Sequence, residues 1–497
     1  MKFLYVFFLL VFFVGCKQSQ NKFVSPGAAA DYQTTTKNST LVHYLQQLDS
    51  ARSNITVVLH DSIVQGYKMP LVIVDDAIGE RSEKLALMIM AQQHGNEPSG
   101  KEGVLNLLTA IANGKYSKAL ESVRLVILPQ VNPRGGDSNM RRNANDMDIN
   151  RDHLLLATSE AQLVHQIFQQ YKPHVVVDVH EYYPYRNSWE TFGYLKDFDI
   201  QLGGLTNPLI DSSLRTLFYD EIIPFVKNDV EAAGYSFFEY TLGQIHSEPR
   251  KLRYSTVHID DGRQSFGIMN SLGLIIEGKN GKTETHNLKR RVLSQQSTMG
   301  SLINYFARNK AKVILVVNEA QAKLTDCDAY SKVGVRFSHK QSGEKLHYPL
   351  RSIATGKDTV FVVSEYFDST VVDYAVKPPK SYLVPVSDSM LVQWLVKHDV
   401  SYRPFVCNKN DRLYQYRIHE SEMVENSEGW LYRQVKVQKE QFFYQKDSLT
   451  FYEVPVCQPA GYKVVLAFEP ESMLAIHNNK AYEYLIDRSH YKIVGLR

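Results

Sequence analysis

His94 and Glu97 stand three residues apart in the run Gln93-His94-Gly95-Asn96-Glu97-Pro98, and His180 and Glu277 each close a short apolar run further along the chain. Imidazole and carboxylate side chains hold zinc while leaving a coordination position open, and a further carboxylate nearby can carry protons. A lone His-x-x-Glu is a weak signal. With 16 His in the chain, about one such pair arises by chance, and His419 with Glu422 repeats the spacing inside a polar, charged stretch. Context separates the two. His94 and Glu97 come just past the apolar run 85–91, His180 ends the run 175–179, and Glu277 ends the run 272–276. In open α/β sheets sites form in the crevice outside the carboxyl ends of strands. Three strand ends bearing His, Glu, His and Glu therefore predict a metal site with a base beside it, whereas His419 and Glu422 read as solvated surface.

The elements that must position these residues follow from periodicity. Segments 85–91, 123–131, 175–179 and 272–276 are short, continuous and largely β-branched or aliphatic, as buried strands are. Helical spacing occupies 98–113, 158–171, 212–233 and 286–308. Buried strands alternating with helices predict an α/β domain over 41–310, a largely parallel or mixed sheet flanked by helices. Beyond 311 the pattern changes. Segments 313–317, 360–363, 430–437 and 462–467 read as strands and 388–398 as a helix, so 311–497 is expected to be an appended β-rich region. Residues 16–40 are polar and read as a tether.

A fourth segment joins the site. Asn132-Pro133-Arg134-Gly135 follows the run 123–131, and Arg141-Arg142-Asn143 and Asp148-Ile149-Asn150-Arg151 come next. Arginine presents a planar fork suited to carboxylates, so this cluster predicts an anion site. Together, Q-H-G-N-E-P-x-G, N-P-R-G, R-R-N-x-x-D-M-D-I-N-R, D-V-H-E and the late I-I-E-G resemble the zinc carboxypeptidase family, the metallopeptidases related to carboxypeptidase A. The resemblance covers 41–310. It implies one Zn²⁺ per chain ligated by His94, Glu97 and His180, with Asp148 hydrogen-bonded to a ligating His. It implies Glu277 as general base, Arg141 as the group that stabilises the oxyanion, and Asn150 and Arg151 as the pair that grips the substrate's terminal carboxylate. Tyr254 is the candidate for the family's mobile tyrosine, and the side-chain pocket is expected between His258 and Phe266. Glu181 stands where digestive members carry a small polar residue, which would add a carboxylate beside the metal. The implied reaction is hydrolysis of C-terminal peptide bonds, cell-wall peptides being one expected substrate class. Two other readings are a deacylase of the same superfamily and a lipoprotein that binds peptides or glycans without cleaving them. The latter has no use for an intact set of ligands, base and oxyanion arginine.

Composition bounds the partners. Lys plus Arg number 56 and Asp plus Glu 53, giving a formal charge of +3, which excludes strong whole-chain attraction to nucleic acid. No H-E-x-x-H or G-x-S-x-G is present. Lys2 and the apolar run Phe3 to Val14 are too short for a mature membrane span, which needs about 20 residues, and fit a secretory leader. Gly15-Cys16 after that run resembles a bacterial lipoprotein signal: 1–15 is removed, and lipidated Cys16 anchors an exported protein to a membrane. Cys327, Cys407 and Cys457 remain, none in a C-x-x-C pair. One disulfide is possible, and the late positions of Cys407 and Cys457 favour that pair, although connectivity does not follow from sequence.

Overall fold

A computed structural model describes residues 22–62, 64–75, 83–246, 250–444 and 450–497; the apolar leader and Cys16 lie outside the described residues. The central sheet has eight strands: β1 (Ile55–Asp61), β2 (Lys68–Val74), β3 (Leu85–Ala91), β4 (Val123–Leu128), β5 (Val175–Tyr182), β6 (Ile200–Gly203), β7 (Phe237–Glu239) and β8 (Leu272–Lys279). Their spatial order is β1-β2-β4-β3-β5-β8-β6-β7. Neighbours β4, β3, β5 and β8 run parallel, and antiparallel pairings flank them. The sheet is mixed, as expected.

Strand β3 is buried along its whole length, and alternation explains how. Leu85, Leu87, Ile89 and Ala91 join a core with the helices Asn38–Ala51, Pro98–Ala112 and Leu288–Arg308. Met88 and Met90 point the other way, into a second core with Val164, Ile167 and Phe168 of the helix Ser159–Tyr171. Covering both faces is what parallel strands require. The expected helix 212–233 is present but contains a π-turn at Phe218–Ile222. Pro224 lies one residue into the next helical stretch and lacks the N–H for a regular i→i−4 bond.

Two expected strands are helices. Val313 to Val317 belongs to the helix Lys310–Ala322, which buries Val313, Val317 and Ala320 on one face. Tyr462 to Ala467 belongs to the helix Gly461–Phe468, whose apolar residues Val464 to Phe468 are all buried. Short continuous apolar runs do not separate a buried strand from a buried helix by period, and here tertiary packing chose the helix. Strands Asp358–Val363 and Leu431–Gln441 and the helix Ser389–Lys397 form where expected.

The polar segment read as a tether is packed, in its described part, against the helix Pro98–Ala112. Thr36 offers its N–H and hydroxyl to Glu102 at 2.6 and 2.8 Å, and Lys101 donates to the Thr36 carbonyl. Composition reports the polarity of these residues but not the buried Lys101 and Glu102 that receive them. The β-rich region is also joined to the first domain, with Lys251–Arg253 pairing in parallel with Glu365–Phe367 and Arg351–Ser352 pairing with Tyr194–Leu195. Cys327 bonds to Cys457 across a Cα–Cα distance of 5.1 Å, and Cys407 is exposed. The expected Cys407–Cys457 pair is therefore corrected: Cys457 is bonded to Cys327 instead, and nearness along the chain did not decide the pairing.

Candidate metal centre

After β3 the chain turns at Gln92, which adopts a positive φ of 55°, and His94-Gly95-Asn96-Glu97 forms the turn into the helix Pro98–Ala112. Gly95 sits against the Asn132-Pro133-Arg134-Gly135 loop, and a Cβ there would overlap the backbone of Gly135 and Met140. That contact explains the glycine between the two ligands. Glu97 takes the N-cap position and Pro98 the first turn, where a missing N–H costs nothing. His180 and Glu277 are register partners on the adjacent parallel strands β5 and β8, so their Cα atoms are about 5 Å apart.

His94, Glu97 and His180 are buried, and their ligand atoms lie within 4.8 Å of one another, the one such group of three among the described residues. Glu97 oxygens lie 2.8 Å from His94 Nδ1 and 2.9 Å from His180 Nδ1, and the two Nδ1 atoms are 3.1 Å apart. The far side of each ring is held by a carboxylate: Asp148 accepts from His94 Nε2 at 3.1 Å, and Asp178 accepts from His180 Nε2 at 2.9 Å. With protons on both Nε2 atoms, each Nδ1 presents a lone pair toward the other and toward Glu97. Three acceptors facing one another in a buried site are satisfied by a cation, and two imidazoles with one carboxylate suit zinc. The donor chemistry fits the implied metal.

Asp178 was not singled out from sequence, although its place two residues before His180 on a strand puts it on the same face. Gln93 Nε2 donates to both its oxygens at 2.9 and 3.0 Å, and Gln93 Oε1 accepts from His153 Nε2 at 2.8 Å. Burial pushes the Asp178 carboxyl up, but His180 and Gln93 outweigh it and hold the group below its ordinary value. Glu97 behaves alike: burial opposes its charge, and the two imidazoles more than offset it. Asp178→Asn is expected to weaken zinc affinity about 10- to 100-fold by freeing the His180 ring, read by competition with a chelating dye. His94→Ala and His180→Ala should lose bound zinc outright. His419→Ala should keep it in full, because His419 is exposed and bonded to Gln438 at 2.9 Å.

The centre opens into a cleft of about 500 Å³ lined by Glu277, Arg141, Arg151, Lys196 and Tyr240 among others. Burial and the charge of Glu97 raise the Glu277 carboxyl above its ordinary value, while His180 and Lys196 pull the other way. Lys196 is brought down to about 8 by burial, with Glu277 opposing that shift. Arg141 donates from Nε to Asp148 at 3.0 Å and lies 3.5 Å from Glu97, so Asp148 orients both His94 and Arg141. Arg151 lines the cleft with its guanidinium 5.8 Å from the Trp430 ring centre. Asn150 also reaches the cleft: its Oδ1 accepts from Gly262 N–H at 2.9 Å, which orients the amide, and its Nδ2 lies 3.0 Å from His180 Nε2.

Two expectations are corrected. Tyr254 does not line the cleft; it stacks on Tyr219 with ring centres 5.6 Å apart, and its N–H bonds to Phe367 of the β-rich region. The strand pairing of 251–253 with 365–367 turns it away. The cleft tyrosine is Tyr240, which is half-buried and hydrogen-bonds with Glu277. Glu181 faces away from the ligands, because strand alternation sets it opposite His180. It receives Arg291 at 2.8 and 3.1 Å and the Ser99 N–H at 3.0 Å, closing the helix N-terminus. The expected pocket stretch does reach the cleft, through His258, Asp260, Asp261 and Arg263.

Two imidazoles and a carboxylate at the carboxyl ends of parallel strands, each ring braced by a further carboxylate, define an α/β protein with a mononuclear metal centre. Residues 41–190 match the family model described as zinc carboxypeptidase. The chain is similar to carboxypeptidase 2 of Trichophyton rubrum, with 30% identity over 285 residues that make up 54% of this chain and 52% of that protein. A probable carboxypeptidase 2 of Trichophyton verrucosum is 26% identical over 369 residues, 71% of this chain and 69% of the relative. The chain spans about half the length of the first of these relatives. Among solved structures, a metallo-carboxypeptidase from Pseudomonas aeruginosa matches 57% of this chain and 71% of its own, at 17% identity and a TM-score of 0.43.

Proposed function

We propose that the protein is a zinc-dependent metallocarboxypeptidase that hydrolyses the C-terminal peptide bond of peptides bearing a free carboxylate. The observation that carries this reading is the convergence of His94, Glu97 and His180 as lone-pair donors, with Glu277 next to His180 on the neighbouring strand. A zinc ion held there would supply Lewis-acid activation of water and of the scissile carbonyl. Glu277 is placed to take the proton of the attacking water and return it to the amine nitrogen as the C–N bond breaks. Its raised carboxyl suits that exchange better than an ordinary glutamate would. Arg141, fixed by Asp148, faces the negative charge that develops on the carbonyl oxygen. Arg151 is the anchor for the terminal carboxylate, with Asn150, its amide oriented by the Gly262 N–H, beside it.

The test is mass spectrometry of products from a peptide panel that includes cell-wall fragments, each peptide offered as free acid and as C-terminal amide. Release of single C-terminal residues from the acids only, abolished by phenanthroline and restored by zinc, is expected. Cleavage of N-acyl amino acids but not of peptides would replace this reading with the deacylase, and zinc binding without any turnover would leave only a binding role. We further propose export and lipid anchoring at Cys16, supported by Lys2, the apolar run to Val14 and Gly15 before the cysteine. Radiolabelled palmitate is expected in the wild-type protein and absent from Cys16→Ala.

A further inference from the structure

Two residues lining the cleft, Glu428 and Trp430, come from neither the matched segment 41–190 nor the sheet domain. They sit on the turn between the long antiparallel strands Leu413–Glu425 and Leu431–Gln441 of the β-rich region. The turn is docked by specific bonds. Glu428 Oε1 accepts the Val257 N–H at 2.7 Å, and its second oxygen lies 3.5 Å from the Arg253 guanidinium, with the Glu428 side chain 1% exposed. Asn426 lies 2.8 Å from His258 Nε2, and its own Oδ1 accepts from Glu428 N–H and Trp430 N–H at 2.9 Å each. These bonds seat the turn on segment 253–258, one side of the cleft.

Trp430 is set differently. Its ring stands 5.8 Å from Arg151 and 5.7 Å from the His258 ring, yet the residue is 45% exposed. The charges around it are largely met from within: Glu428 by Arg253, Asp261 by Arg263 at 3.1 Å, and Asp260 by the nearby charges of Arg151 and His258. What this wall leaves open is an aromatic face beside the carboxylate anchor. An amino acid's Cβ is two bonds, about 2.5 Å, from its carboxyl carbon, so a terminal carboxylate on Arg151 brings its own side chain within reach of that face.

We propose that Trp430 is a specificity-determining residue that the β-rich region contributes to the cleft, forming the platform for the side chain of the substrate's C-terminal residue and favouring aromatic and long aliphatic ones. Glu428 is a positioning residue that holds the turn in place. The inference rests on Arg151 as carboxylate anchor, and so on the function proposed above.

The experiment compares wild type, Trp430→Ala and Trp430→Phe, all zinc-loaded, on peptides ending in Phe, Leu or Gly. Peptide affinity is measured by calorimetry in the Glu277→Gln background with and without Trp430→Ala. Trp430→Ala is expected to raise KM about tenfold for Phe- and Leu-ending peptides and less than twofold for Gly-ending ones, with the larger change in KM rather than kcat. Trp430→Phe should recover most of the loss. Glu428→Gln, which keeps an acceptor for Val257 but drops the charge facing Arg253, should show the same selectivity in milder form, with zinc content and melting temperature confirming the fold. A uniform change across all three peptides, or none, overturns the inference. If wild type releases no residue from any peptide while Phe-ending peptides still bind in a Trp430-dependent way, the hydrolytic reading fails and this one stands.

Discussion

Glu277→Gln is expected to retain zinc in full while C-terminal hydrolysis falls by about a thousandfold, within the range that loss of a general base produces. Glutamine keeps the shape of the side chain and an oxygen for the Tyr240 contact, but it cannot take a proton from water. Metal content should not change, because the convergent atoms belong to His94, Glu97 and His180 and Glu277 is not among them. The measurement pairs zinc stoichiometry by mass spectrometry with kcat/KM on one free-acid peptide. A variant that loses zinc would place Glu277 among the ligands; a variant of near-wild-type rate would remove it from the chemistry. The neighbouring Lys196 gives an internal comparison. Its ammonium opposes the rise of the Glu277 carboxyl, so Lys196→Met should reduce the rate far less than Glu277→Gln does.

Lys463→Met is expected to stabilise the protein by about 4 kcal/mol at and below pH 7, with the gain fading toward pH 10. Lys463 is 1% exposed, and among the described residues the one side-chain hydrogen-bond partner of its ammonium is the Ser265 hydroxyl at 3.1 Å. Burial pulls it from the ordinary 10.5 down to about 7. Between those values the unfolded chain holds a proton that the folded chain sheds. Stability contributed by this site therefore rises with pH from about 7 to about 10.5, and the full penalty applies below that window. Methionine is similar in length and carries no charge. Melting temperatures of both proteins across pH 6 to 10 provide the check. Parallel curves would mean that the ammonium finds compensation in the fold.

Much of the site is legible in the sequence. The strand 85–91 has its expected bounds, 175 and 272 begin their strands, and the helix from 98 follows the ligand turn as its proline implies. These segments were readable because each carries one clear period and clear punctuation. The misread segments 313–317 and 462–467 are apolar runs too short to show a period, and their environment determined the outcome. Tyr254 is the candidate the resemblance implies, but the sequence does not register that a strand of the β-rich region pairs with residues 251–253 and turns the side chain aside. Tyr240 carried no local signal at all. It reaches Glu277 because it follows β7 on the same side of the sheet as the cleft.

His94, Glu97, His180 and Glu277, and the α/β sheet that carries them, follow from residue type at strand ends. Strand direction and alternation are local properties that the chain states by itself. The bracing of His180 by Asp178 and Gln93, the turn of Glu181 toward Arg291, the Cys327–Cys457 bond, the buried Lys463 and the seating of Trp430 over Arg151 were decided only by the tertiary structure. Each joins residues far apart in sequence, and no local period encodes which distant partner a buried charge, thiol or ring will meet.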